Sequence, residues 1–265
     1  MENQFNRYNH WALILGGSSG MGLATAKKLA KEGMNIIIVY RNSRSEMAQI
    51  NLSFQEIINE KVEFTSFNID AGNAEKRRQT ILDIKNKIGE SKIRCLIHSI
   101  AKGNLKAMID EGSRELQKDD FMITIDIMAI SLYEWTKELF TENMFAPSTS
   151  IISFTSEGNQ RAYKSYSAVS AAKVALEAIS RNIAVEFAPY GIRANCIQAG
   201  VTDTHSLRLI PGSEKMKELA EAKNPYKRIT TTEDVANVVY LLCKDEAKWI
   251  NGTIIPVDGG ESIVL

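Results

Sequence analysis

Trp11-Ala12-Leu13-Ile14-Leu15-Gly16-Gly17-Ser18-Ser19-Gly20-Met21-Gly22 is the most informative stretch of the chain. Its first five residues are a continuous apolar run, the pattern of a strand covered on both faces. The residues that follow, Gly22–Glu32, place Leu23, Ala26 and Ala30 on one helical stripe. Between strand and helix, Gly16, Gly20 and Gly22 have G-x-x-x-G-x-G spacing. Glycine permits a tight turn and a close approach of backbone to a bound anion. The helix start adds free N–H groups and the positive end of its dipole. Ser18 and Ser19 add hydroxyl donors. A glycine turn alone is weak evidence, but at the first strand–helix junction it points to a dinucleotide pyrophosphate.

The alternation continues outward. β-rich runs at Asn35–Tyr40, Val62–Asn68, Arg94–Ser99, Ser150–Thr155, Arg193–Gln198 and Thr253–Val257 alternate with helical stretches at Asn73–Ile88, Phe121–Phe145, Tyr166–Phe187 and Thr232–Leu242. Such alternation predicts an α/β fold with a parallel sheet and right-handed crossovers. Five prolines and no Ser/Gly-rich spacer in 265 residues leave residues 1–265 as one domain. The least regular segment runs from Val201 to about Arg228 and contains the turn signals Pro211-Gly212 and Asn224-Pro225. It reads either as a functional lid or as a solvated excursion with two short helices.

Composition narrows the class. A hydrophobic fraction of 44% excludes wholesale disorder. Thirty-two Lys and Arg balance thirty-two Asp and Glu, so the chain has no net cationic field for nucleic acid. Cys95, Cys196 and Cys243 are scattered, as in a reducing compartment, and neither they nor His10, His98 and His205 have metal-ligand spacing. The polar start MENQFNRYNHW is unlike a signal peptide, and no apolar run approaches the roughly 20 residues of a membrane span. The expectation is a soluble cytoplasmic protein with no metal.

The segment after the second strand reads Val39-Tyr40-Arg41-Asn42-Ser43-Arg44. NAD sites place a carboxylate here for the ribose 2′-OH. This segment has two guanidiniums instead, which suit a 2′-phosphate. NADPH is therefore predicted over NADH, with Arg41 and Arg44 as its ligands.

Further on, Tyr166 and Lys173 stand seven residues apart, nearly two helical turns. Both side chains then share one helix face, about 10 Å apart along the axis. A ribose fits between them, where the ammonium holds its hydroxyls and favours the tyrosinate. The small residues Ser167–Ala172 between them let a cofactor or another helix approach.

Together these segments resemble the short-chain dehydrogenase/reductase superfamily over almost the whole chain. The resemblance rests on the glycine turn, Asp70, Tyr166 with Lys173, Asn195 through Gly200, and Val257-Asp258-Gly259-Gly260. It implies a single-domain, Rossmann-like, doubly wound parallel sheet of seven strands with helices on both faces. Most members carry Tyr-x3-Lys; Tyr-x6-Lys is similar to the bacterial enoyl-acyl-carrier-protein reductases. His98-Ser99-Ile100-Ala101, Asp126-Ile127, Ala199 through Thr204 and Asp258 through Ile263 resemble that group too. An ordinary superfamily glycine turn combined with Tyr-x6-Lys resembles the NADPH-dependent enoyl reductase III.

The resemblance implies cofactor contacts from Met21, Asp70, Ser99, Ile100, Ala101, Gly200, Val201, Thr202 and Thr204, the last to the nicotinamide carboxamide. It implies reduction of a trans-2-enoyl thioester on acyl carrier protein or coenzyme A, with Tyr166 on the thioester oxygen, and a homotetramer. His98 is expected to end a strand near the cofactor, and Asp126 to organise the helix and water beneath Lys173. Ser156 has two readings: it polarises the substrate oxygen, as in ketone reductases, or it bonds backbone only. Lys102 puts a charge near the pocket, and Tyr163 is packing. The segment 201–228 becomes a substrate lid offering Leu207, Leu209, Ile210 and Met216 to an acyl chain. Arg208, Lys215 and Lys217 read as a solvated face before they read as a portal for an acidic carrier. The competing functions are reduction of a 3-oxoacyl thioester or another carbonyl, and a catalytically silent nucleotide-binding protein.

Overall fold

The computed structural model describes residues 5, 9–109 and 115–264. Seven parallel strands form one sheet in the order β3-β2-β1-β4-β5-β6-β7. They are β1 (Trp11–Leu15), β2 (Asn35–Tyr40), β3 (Phe64–Asn68), β4 (Ile93–His98), β5 (Phe145–Ser156), β6 (Ile192–Ala199) and β7 (Ile254–Val257). The helices are α1 (Gly20–Lys31), α2 (Met47–Ile58), α3 (Ala74–Ile88), α4 (Lys118–Ile125), α5 (Ser131–Thr141), α6 (Ser167–Glu186), α7 (His205–Arg208), α8 (Ser213–Lys223) and α9 (Thr232–Cys243).

Alternation along each strand builds two cores. Ala12 and Ile14 of β1 face Ala26 and Leu29 of α1 and Val235 and Val239 of α9. Leu13 and Leu15 face Ile81 and Ile84 of α3, Trp135 of α5 and Leu176 of α6. β1, β2, β4 and β6 are buried along their whole length; β1 and β2 are almost wholly apolar in consequence, while β4 and β6 also bury Arg94, His98, Arg193, Asn195 and Gln198. β3 and β7 lie at the edges and are partly exposed. Pro256 fits in β7 because an edge strand can spare an N–H.

Two predicted elements differ. A single helix over Phe121–Phe145 does not form: Asp126–Ile130 is a π-helical turn between α4 and α5, and Phe145 starts β5. Asn143, with φ of 54°, and the bond from Met144 N–H to the Leu139 carbonyl turn the chain from α5 into the sheet. The helix α2 was not anticipated, although Ile50, Phe54 and Ile57 form its buried stripe. No helix among the described residues is long and apolar enough to cross a membrane.

The chain winds outward from β1 in one direction and from β4 in the other. The carboxyl ends of β1 and β4 therefore border an open crevice, where this class of sheet binds its ligands.

Candidate active site

The glycine turn lines one side of that crevice. Gly16 has φ of +83°, and a Cβ there would lie 2.4 Å from the Ser99 carbonyl oxygen, which follows β4. A Cβ on Gly22 would lie 2.3 Å from the Gly16 carbonyl oxygen, so α1 starts tight against the turn. Gly16 N–H donates to Val39 O (2.7 Å) and Ser99 N–H to Leu15 O (2.8 Å), which fixes the turn between β2 and β4. Ser18 Oγ donates to Asn42 Oδ1 (2.7 Å), whereas Ser19, the N-cap of α1, makes no capping bond with its side chain.

A cleft of about 650 Å³ opens above the turn. Gly16, Ser18, Ser19, Arg41, Asp70, Ser99, Ile100 and Ala101 line it; Gly20 and Gly22 shape the turn without lining the cleft. This set suits a dinucleotide: backbone N–H groups and hydroxyls at the helix start for a diphosphate, and a guanidinium farther along.

Arg41 is in the cleft, ion-paired with Asp70. Arg44 does not line the cleft: it starts a short 3₁₀ turn and is exposed. Glu46 takes a place there instead, accepting from Ser43 N–H (2.8 Å) and Asn42 Nδ2 (2.9 Å). The Ser43 hydroxyl bond is the largest cause holding Glu46 below the usual carboxylate range. A carboxylate is thus present after all, delivered by the 3₁₀ turn beyond the segment where one was sought. His205, from the start of α7, faces the same cleft.

A second, apolar cavity of about 270 Å³ adjoins the first; Ala101, Lys102 and Ser206 border both. Met21, Ser156, Tyr166, Lys173, Gly200, Val201, Thr202 and Thr204 all line it. Sequence-distant candidates thus converge on one site. Tyr166 is the N-cap of α6, reached through Ser165 at φ of +63°. Its ring rests on Gly158, where a Cβ would lie 2.5 Å from Cε1, and edge-on to Tyr163 with centroids 6.0 Å apart. Burial pushes the Tyr166 phenol above its ordinary value, and the nearby Ser156 hydroxyl acts the other way. That pair falls short of full hydrogen-bond geometry: Ser156 Oγ is buried and has no partner. The expected tyrosinate is therefore not what the site favours; the phenol keeps its proton.

Lys173 is buried, and its Nζ donates to Phe154 O (2.6 Å). Desolvation lowers it to about 8, with Cys196 and Glu177 acting against the shift. His98 ends β4, as expected. It is buried, bonded through Nε2 to Ser131 Oγ (2.8 Å), and held near 3 by desolvation first and Lys173 second. It is neutral and no acid or base near pH 7. Asp126 is exposed and lines neither cavity. The acid beside Lys173 is the buried Glu177, which no motif had marked.

Leu207 of α7, Leu209 and Ile210 of the turn after it and Met216 of α8 line the cavity, so the 201–228 segment borders the site and contains two short helices. Thr204 caps α7, accepting from Leu207 N–H (3.2 Å). Arg208 forks onto Asp203 (2.9 and 3.0 Å) and Lys217 pairs with Glu214 (2.9 Å). Those charges serve the lid's own surface. Glu261, also missed, closes the far wall: it is buried, accepts from Val201 N–H (3.1 Å), and is raised chiefly by burial.

Comparison with known proteins agrees with this geometry. A family model described as Enoyl-(Acyl carrier protein) reductase matches residues 16–262. The enoyl-[acyl-carrier-protein] reductase [NADH] FabI of Enterococcus faecalis is 26% identical, with 95% of this chain and 97% of that protein covered. The 1-cyclohexenylcarbonyl-CoA reductase of Streptomyces collinus is 26% identical, covering 96% and 87%. The crystal structure of the NADH-dependent enoyl-[acyl-carrier-protein] reductase of Aquifex aeolicus superposes with a TM-score of 0.82 at 25% identity, covering 96% of this chain and 97% of that one. This chain belongs to the enoyl-(acyl carrier protein) reductase family of short-chain dehydrogenase/reductases, and is an oxidoreductase by that membership.

Proposed function

We propose that the protein uses NADPH to reduce the 2,3 double bond of a trans-2-enoyl thioester, carried on acyl carrier protein or coenzyme A, in fatty-acid or related acyl-chain synthesis. The observation that carries this reading is the joint placement of Tyr166 and Lys173 on one apolar cavity that opens into the dinucleotide cleft. Arg41 supports NADPH, since a 2′-phosphate there gains a charge-assisted bond. The same reading makes the enzyme a cytoplasmic homotetramer; exposed Met122, Ile123, Tyr133 and Val174 on α4, α5 and α6 supply apolar surface for such contacts.

When bound, the reduced nicotinamide supplies a hydride. The glycine turn with Ser18 and Ser19 would hold the diphosphate, Lys173 the ribose hydroxyls and Thr204 the carboxamide. Tyr166, kept protonated by burial, donates a hydrogen bond to the thioester oxygen as negative charge gathers on it. Leu207, Ile210 and Met216 keep water from the reacting atoms. Displacing the tyrosine by nearly one turn from Tyr-x3-Lys suits an oxygen three bonds from the carbon that accepts hydride, two more than in a ketone.

One observation favours a second reading, reduction of a 3-oxoacyl thioester. The partnerless Ser156 hydroxyl beside the Tyr166 ring is placed to polarise a ketone oxygen. The test is oxidation of NADPH and of NADH by purified protein with a 2-enoyl and a 3-oxoacyl thioester in parallel. The expected result is oxidation of NADPH with the enoyl substrate. Oxidation with the oxo substrate alone would remove the enoyl reading and make Ser156 catalytic.

A further inference from the structure

Glu177 is a buried acid that the mechanism above does not use. It stands one helical turn beyond Lys173 on the same face of α6, and only 6% of it is exposed. Its Oε1 accepts from Thr155 Oγ1 (2.5 Å) and Asn159 Nδ2 (2.6 Å). Lys173 holds the preceding carbonyl, Phe154 O, and Ser170 Oγ donates to Gly158 O (2.5 Å). One face of α6 therefore grips Phe154 and Thr155 at the end of β5 and Gly158 and Asn159 in the turn after it, on both sides of Ser156 and beneath the Tyr166 ring.

The same residue answers an electrostatic problem. A Lys173 buried this deeply is disfavoured as an ammonium. The titratable groups whose fields reach it are His98 from β4, Cys196 from β6 and Glu177 from its own helix. His98 is neutral, and burial pushes the Cys196 thiol up, so it too is uncharged near pH 7. Glu177 is the remaining acidic side chain. No second ammonium or guanidinium competes for it within its hydrogen-bond shell of Thr155 and Asn159.

We propose that Glu177 is a positioning residue of the active site, which clamps the end of β5 and supplies the buried negative charge that keeps Lys173 an ammonium. The catalytic part of this inference rests on the reductase reading; the charge coupling does not.

Glu177→Gln keeps an acceptor oxygen for Thr155 and Asn159 but removes the charge, and Glu177→Asp keeps the charge but shortens the reach. Two readouts decide. The first is the pH profile of kcat/KM with whichever thioester is turned over. Its alkaline limb is expected to move about one pH unit lower in Glu177→Gln, about tenfold less activity on that limb. Glu177→Asp is expected to lose turnover while keeping the limb near its wild-type position. The second is the titration of the Lys173 ¹³Cε resonance, assigned by its loss in Lys173→Met; it needs no substrate and stands even if no thioester reacts. Its midpoint is expected to fall in Glu177→Gln. A folded Glu177→Gln protein with an unmoved Lys173 midpoint overturns the proposal, whatever its activity. If that variant does not fold, the wild-type protein decides: the Glu177 ¹³Cδ resonance is expected to step at the Lys173 midpoint, and a flat trace there overturns the coupling.

Discussion

A half-buried phenol and a buried ammonium have opposite needs. Tyr166 is raised by burial and stays protonated across the neutral range, so it enters the reaction as a donor. Tyr166→Phe is expected to lower turnover by about 10²–10³-fold, with the dissociation constant of NADPH changed little; fluorescence titration beside steady-state kinetics checks both. Lys173 is lowered to about 8, so its charge is present below that pH and lost above it. If the ammonium is the form that holds the ribose, kcat/KM for NADPH falls as pH rises through about 8, and a profile from pH 6 to 10 is expected to show that limb. The direction is the reverse of what an acidic group with a lowered pKa would produce, because the lysine loses its charge on the alkaline side.

The elements after β2 decide which side chains line the first cleft. β2 ends at Tyr40, and the loop and 3₁₀ turn that follow it carry Arg41, Asn42, Ser43 and Glu46 into one cleft, which Arg44 does not line. The guanidinium of Arg41 is shared with Asp70, on the loop after β3. A 2′-phosphate must therefore draw Arg41 from a carboxylate and tolerate Glu46. Arg41→Ala is expected to raise KM for NADPH about tenfold, the size of one charge-assisted hydrogen bond, and to leave KM for NADH unchanged. An unchanged KM for NADPH in a kinetic comparison would remove Arg41 from recognition.

At the scale of the molecule, the site depends on the two cores that hold β1, β4 and β5 in register. Trp135 anchors the core on the α5 side. It is fully buried, and its indole Nε1 donates to Ala71 O (3.0 Å), on the loop that follows Asp70 in the cofactor cleft. Trp135→Ala leaves a cavity and an unpaired carbonyl, and is expected to cost about 3–5 kcal/mol of unfolding free energy. Urea denaturation measures it, and weaker nucleotide binding is expected to accompany it because Ala71 lines the cleft.

The periodic pattern of apolar residues by itself determined the layered fold. β1 and β2 lie where the runs Trp11–Leu15 and Asn35–Tyr40 put them, because strands buried on both faces are largely apolar. The glycine spacing determined the turn, since Gly16 at φ of +83° against Ser99 leaves no room for a Cβ. The separation of Tyr166 and Lys173 determined that both reach one face. α2 was legible too, in the stripe Ile50, Phe54 and Ile57, but its flanking polar residues hid it. The rest was decided only by the tertiary structure. Burial, which sets the phenol up and the ammonium down, is a property of what packs around a side chain. So is the entry of Glu46 into the cleft, made by a turn of three residues. Glu177 is one more helix glutamate until β5 and the turn after it close over it; Asp126 lies on the outside of a π-helical turn that no periodicity announces. Charge placed in a low-dielectric interior depends on neighbours distant in the chain, and those neighbours exist only once the chain has folded.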